Sequence, residues 1–273
     1  MYAPTFRVRR QLSLLLTAIA LAVVAMIVWV QESRLAHTSF FTGTLLLGSI
    51  LILMLLGVRR RIPVLAVGNV STWTQIHIYT AIFSIGIYAL HVPALIGGGV
   101  FESGLSILFL SVAASGFYGL FASLTIPRQL TAIQGEQRFD QIPWYRQQIA
   151  LKAGQLLKEI AEQTSAGVIE RLYEAELEPY FSSGPSVAYL AVPSGRRRRR
   201  LLSNLKEVDR YLESEGRATA GQFSGLVRRR DDLDYQYAMQ LRLRLWLVFH
   251  CLLSVALVAA GIIHATIAWR FAG

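Results

Sequence analysis

Five histidines occur in the 273-residue chain, and four of them fall within long apolar stretches. His77 and His91 are 14 residues apart, and so are His250 and His264. On an α-helix, 14 residues return to nearly the same face, about 40° short, with a rise of roughly 21 Å. A tryptophan stands four residues before the first histidine of each pair, Trp73 before His77 and Trp246 before His250, so the pattern W-x3-H-x13-H occurs twice. A neutral imidazole keeps a nitrogen lone pair available near pH 7. Two imidazoles facing each other across a helix pair suit the two axial positions of a haem iron. With parallel helices, His77 meets His250 at one level and His91 meets His264 at the other. The second ring nitrogen of each ligand needs a partner that fixes its tautomer.

The residues between the histidines on that face are small or modest. They are Thr80, Ala81 and Ser84 in the first pair, and Ser254, Leu257 and Gly261 in the second. Small residues let a flat macrocycle lie close to the backbone. The bland alternative is four interhelical hydrogen-bonding histidines, with proton relay or transition-metal binding as further options. Two equal spacings on two helices favour the haem reading. His37 reads as an ordinary surface residue. The single cysteine, Cys251, points off the ligand face and reads as packing. One cysteine excludes disulfides, iron–sulfur clusters and CxxCH attachment within this chain, so the expected cofactors are two non-covalent b-type haems.

The elements that must position these residues are membrane spans. The chain is 53% hydrophobic, and a bilayer core needs about 20 apolar residues per helix. Five stretches meet or approach that, Leu12 to Val30, Phe40 to Val58, Thr74 to Ile96, Leu105 to Ile126 and Trp246 to Trp269. The first follows Arg7, Arg9 and Arg10, but it is too long for a signal peptide and Val28-Trp29-Val30 is a poor cleavage site. Span four contributes Ser111, Ala113, Ala114, Ser115, Gly116 and Gly119, which permit tight helix packing.

Charge sets the expected orientation. Arg59, Arg60 and Arg61 follow span two, and the segment between spans four and five holds 19 of the 27 basic residues. Only Arg34 and Arg270 fall on the other side. Basic flanks mark the cytoplasmic face. This places the N-terminus and the insertion inside, the C-terminus outside, and the chain as a multi-pass protein of the inner (cytoplasmic) membrane. His77 and His250 then form the inner pair, and His91 and His264 the outer pair. The net charge of +10 is explained by orientation and attraction to anionic lipid, and no nucleic-acid partner is expected.

The expected division is residues 1–127 as spans one to four, 128–244 as a cytoplasmic insertion, and 245–273 as span five. Ile62-Pro63-Val64-Leu65-Ala66-Val67 reads as an interfacial link broken by Gly68-Asn69. Pro127 is expected to close span four. Within the insertion, Tyr145 to Glu162, Gly167 to Tyr180 and Leu201 to Glu215 have helical periodicity. Val187 to Val192 reads as a short strand, Ser182-Ser183-Gly184-Pro185 as a turn, and Arg196 to Arg200 as a solvated or lipid-facing strip. A helix from about Gln222 is expected to run into span five. The insertion has no histidine, no cysteine and no nucleotide-cradling glycine motif, so docking is its expected role.

At the four histidines the chain resembles di-haem b-type cytochromes. Both the cytochrome b of quinol:cytochrome c reductases and the ferric reductase and NADPH oxidase transmembrane domain use two helices with two ligand histidines each. The resemblance covers spans two to five and implies that His77, His91, His250 and His264 are the haem ligands. Ligands on spans three and five look like the ferric reductase group. That group's flavin and nicotinamide domain has no counterpart after Trp269, and the Pro-Glu-Trp-Tyr motif of the cytochrome b quinol-oxidation site is absent.

The expected fold is thus all-α, with five transmembrane helices, a four-helix haem-binding bundle and a mainly helical insertion. The expected function is transmembrane electron transfer as a subunit of an oxidoreductase complex. A cytoplasmic donor or quinone would stand at one end, and another redox subunit or a periplasmic cytochrome at the other. Arg59 to Arg61, Arg242 and Arg244 are candidates for inner propionates and Arg270 for the outer haem; all serve equally as positive-inside anchors. The alternative is a cofactor-free membrane scaffold or assembly subunit acting through the insertion. A metal or proton transporter is a third reading, disfavoured because no Asp or Glu lies inside the five apolar stretches.

Overall fold

A computed structural model of the chain describes residues 6–34, 37–61, 69–133, 135–160 and 166–271. The described residues are all-helical, without a strand. Helices α1 (Phe6–Ser33), α2 (Ser39–Arg61), α3 (Val70–His91) and α4 (Val100–Thr131) come first. The insertion follows with α5 (Ile142–Ile160), α6 (Ala166–Leu172), a π-helical turn (Tyr173–Leu177), α7 (Glu178–Ser182), α8 (Val187–Ala191), α9 (Arg196–Val208) and a 3-10 turn (Asp209–Tyr211). The last helix, α10, runs unbroken from Ser214 to Arg270. The interfacial link expected at 62–68 lies outside the described residues.

Four helical stretches are long and apolar enough to cross a membrane, Val8–Ser33, Ser39–Arg59, Val100–Thr131 and Gly216–Arg270. These make the chain compatible with a multi-pass membrane protein. The third expected span, α3, is a continuous helix, but Gln75, His77 and His91 lower its apolar character and it is not one of the four. The spanning helices expose large apolar side chains such as Leu15, Met26, Phe121 and Leu252, as lipid-facing surfaces do.

The chain divides into two units, residues 1–118 with 248–273, and residues 119–247. In the first, Val24 and Val28 of α1, Leu46 and Ile50 of α2, Ile87 and Tyr88 of α3, Phe109 of α4 and Leu257 of α10 form one buried cluster. Tyr88 and Phe109 stack with ring centres 4.2 Å apart. Beyond α3 the Tyr88 hydroxyl donates to the Leu95 carbonyl at 2.5 Å. Leu95 itself takes a φ of 64°, an uncommon conformation for a branched residue.

The second unit has its own core. Ile142, Ile149, Ala153 and Leu156 of α5 recur at helical spacing and pack with Ile169, Leu177, Leu205, Phe223 and Val227. Two expectations fail here. Pro127 does not end α4, which continues to Thr131. The proline removes one backbone donor, but Ile126 and Leu130 are buried with Met239 and Tyr235 donates to Gln129 at 3.1 Å, so packing beyond the proline holds the helix. Residues Val187–Ala191 form a helical turn and no strand. The Ser186 hydroxyl accepts from the Tyr189 backbone N–H at 3.2 Å, which is an N-cap.

The arginine run is exposed, as expected, except for the half-buried Arg198. It opens α9, and three of its five members are engaged by the insertion itself. Arg197 lies 4.9 Å from the Tyr180 ring centre, Arg198 pairs with Asp231 at 3.4 Å, and Arg200 pairs with Glu176 at 3.3 Å. Beneath them, Arg230 is 1% exposed. It is paired with Asp234 and donates to the Ser183 carbonyl at 2.6 Å. Arg146 approaches the same Asp234 carboxylate at 3.2 Å. A buried charge is tolerated only when paired and hydrogen-bonded.

Two outcomes test this core. Arg230→Met strands Asp234 beside Arg146 alone and is expected to destabilise the insertion by about 3 kcal/mol, read by thermal unfolding; a shift near zero contradicts the network. Asp231 gives a pH dependence. Burial holds its carboxyl above the usual range, and the Tyr189 hydrogen bond and Arg198 offset this only in part. The folded chain therefore binds this proton more tightly than the unfolded chain. The resulting stability is fully present below the unfolded pKa and is lost as the pH rises through the folded one. Wild type should lose stability relative to Asp231→Asn as the pH is raised from about 4 upward, and a pH-independent difference contradicts this.

Candidate haem-binding histidine pairs

All four histidines of the repeated pattern are half-buried in the first unit, on α3 and α10. His91 and His264 come together. Their ring centres are 6.4 Å apart and their planes are inclined at 80°. The second histidines of the two pairs thus meet at one level.

The hydrogen bonds of three rings are informative. His77 Nδ1 lies 3.1 Å from the Leu53 carbonyl oxygen of α2. A carbonyl only accepts, so Nδ1 carries the proton and Nε2 keeps the lone pair. His91 Nδ1 lies 2.9 Å from Thr42 Oγ1. The Thr42 hydroxyl also reaches the Thr38 carbonyl at 3.0 Å, the usual back-bond of a helical threonine. That carbonyl takes the single hydroxyl proton, and Oγ1 accepts from His91 Nδ1–H. His250 repeats the device on α4. Its Nδ1 lies 2.7 Å from Ser115 Oγ, and Ser115 donates to the Val112 carbonyl at 2.9 Å. In all three rings this assignment puts the lone pair on Nε2.

A cavity of about 720 Å³ is lined by both His91 and His264, with Gly43, Tyr88, Phe109 and Gly261 among its walls. That is within the usual range for small-molecule and cofactor sites. Gly43 makes room for the imidazole, since a Cβ there would stand 3.1 Å from His91 Cε1. Glu102, which precedes the apolar part of span four, sits in the first turn of α4 and also lines the cavity. Phe101 lies 6.2 Å from the His264 ring centre.

Fit to a haem can be tested on the His91–His264 spacing. Two imidazoles binding one metal from opposite sides need two bonds of about 2 Å plus roughly 1 Å from each nitrogen to its ring centre. The sum is about 6 Å, and the observed spacing is 6.4 Å. Among the described residues no group of three or more His, Cys, Asp and Glu could hold an ion.

Other expected features are placed differently. On α10, Leu257 and Gly261 do line the cavity. On α3, Ser84 instead donates to Ser49 of α2 at 2.8 Å, and Thr80 lines a separate recess with Thr17 and Tyr79. Ser254 donates back to the His250 carbonyl at 2.7 Å. Arg242 donates to the Ala191 carbonyl at 2.7 Å, and Arg244 lies 4.2 Å from the Phe139 ring centre; both are used within the second unit. His37 and Cys251 are exposed. Thr42 and Gly43 were not foreseen in the sequence, and Ser115 was foreseen only as a packing residue.

Compared with protein-family models, with curated proteins and with solved structures, the chain matches none.

The tautomers give a direct expectation. Nitrogen-15 NMR of histidine-labelled protein without added cofactor should show His77, His91 and His250 protonated at Nδ1 and unprotonated at Nε2. Thr42→Val should release His91 alone into a tautomer mixture. A ring protonated at Nε2 in the unsubstituted protein contradicts the assignment.

Proposed function

We propose that the chain is a five-span b-type cytochrome that carries electrons across the membrane through two non-covalent haems. His77 and His250 hold the inner iron, and His91 and His264 the outer one. The haem, when bound, supplies one-electron chemistry. The single observation that carries this reading is the pairing of His91 with His264 at 6.4 Å across a cavity of about 720 Å³. The Nδ1 hydrogen bonds of His77, His91 and His250 support it, because they leave the lone pair on Nε2.

In this reading α3 is the fifth span, and α2, α3, α4 and α10 make the haem-binding bundle. The positive flanks support a cytoplasmic N-terminus and insertion in the inner membrane. The chain acts as the electron-transfer subunit of an oxidoreductase complex. A cytoplasmic donor or quinone exchanges electrons at the inner haem, and another redox subunit or a periplasmic cytochrome at the outer. Two histidine levels about 21 Å apart along the helices divide the crossing into shorter steps.

A second reading, a cofactor-free scaffold working through the insertion, is favoured by the insertion's own core around Phe223 and Arg230. Haem content separates the two. A pyridine haemochrome assay of the purified chain should give two haems per chain, all extractable by acid acetone. His77→Ala and His250→Ala should each remove the same haem, and His91→Ala and His264→Ala the other. Near-zero haem selects the scaffold. Loss of one common haem in His77→Ala and His264→Ala overturns the pairing by level.

A further inference from the structure

The arginine run is shared between two jobs by helical geometry. Successive residues turn by about 100° around α9, so Arg197 and Arg198 meet Tyr180 and Asp231 while Arg199 leaves on another side. Arg199, Ser203 and Lys206 stand at i, i+4 and i+7, one face of a helix. Opposite them, Arg217, Gly221, Ser224 and Arg228 stand at i, i+4, i+7 and i+11 on the first part of α10. The two faces enclose a groove of about 580 Å³ floored by Leu205 and Ala220.

Four cations therefore border one recess, with Asp209 as the only acidic residue lining it among the described residues. All four are exposed at their tips. None of them forms an ion pair among the described residues, whereas their neighbours Arg198 and Arg200 do. Arg217 spends one N–H on the Asp209 carbonyl at 3.3 Å, which fixes its stem at the groove edge and leaves its outer nitrogens available. The hydroxyls of Ser203 and Ser224 add neutral donors. The centre is kept open by Gly221, where an added Cβ would meet nothing within 4 Å. Like charges gathered around an open recess repel one another unless an anion sits between them.

We infer that this groove binds a phosphate-bearing anion with at least two negative charges. Guanidinium groups with flanking hydroxyls are the donors such a group recruits. The volume exceeds that of a lone oxoanion and is in the range of organic ligands. The same chemistry serves a phospholipid headgroup and a soluble organic phosphate, and the site is independent of the histidine pairs.

The test uses the full chain in nanodiscs of zwitterionic lipid, with pyrophosphate titrated by calorimetry. One saturable site is expected, weakened about tenfold or more by Lys206→Gln with Arg228→Gln. Gly221→Phe removes no charge and gains helix propensity, yet it fills the groove and should abolish binding. Arg196→Gln, exposed and outside the groove, should leave binding unchanged. Circular dichroism checks that each variant is folded. Discs containing cardiolipin, whose headgroup carries two phosphates, assign the source: competition with pyrophosphate points to headgroups, and its absence to a soluble phosphate. No saturable binding, binding retained in Gly221→Phe, or an equal loss in Arg196→Gln overturns the inference.

Discussion

An imidazole set between apolar helices must settle both of its ring nitrogens, because an unpaired polar group in that surrounding costs several kcal/mol. The rest of the first unit follows from how this chain meets that demand. Each of three rings gives Nδ1–H to an oxygen on a neighbouring helix, Leu53 and Thr42 on α2 and Ser115 on α4. Those bonds fix the tautomer and leave the lone pair on Nε2. They also tie α3 and α10, which carry the histidines, to α2 and α4, which carry the acceptors. Ligand orientation and helix association thus depend on the same contacts, as outer partners commonly do at metal sites.

Space is provided by a different set of residues. Gly43 clears room beside His91, and Gly261 lies on the wall near His264. Stacked Tyr88 and Phe109 close the cluster on which the cavity rests. The insertion solves its own problem with charge. Arg230, Asp234 and Arg146 form a buried network roofed by part of the arginine run.

Much of this was legible in the residues. Helical runs, the equal spacing of His77 with His91 and of His250 with His264, and the matching tryptophans all follow from period 3.6 and apolar length. The acceptors were not legible. A threonine or serine inside a span reads as packing until the partner helix is placed beside it, and the Leu53 carbonyl has no sequence signature at all. Pro127 misled because the packing of Ile126 and Leu130 outweighs one lost backbone bond. Val187 to Val192 misled because β-branched residues outline a strand, while Ser186 caps a helical turn. The arginine run was legible as a solvated strip, but charge content alone does not reveal which members have a carboxylate waiting.

The central claim is that these imidazole pairs hold haem iron. The most direct measurement is the visible spectrum of the purified chain, first oxidised and then reduced with dithionite. The account predicts a coloured protein whose α band sharpens on reduction, as six-coordinate bis-imidazole haem requires, with no further change when carbon monoxide is added. A colourless protein after expression with abundant haem, or a reduced form that binds carbon monoxide at both levels, would contradict it.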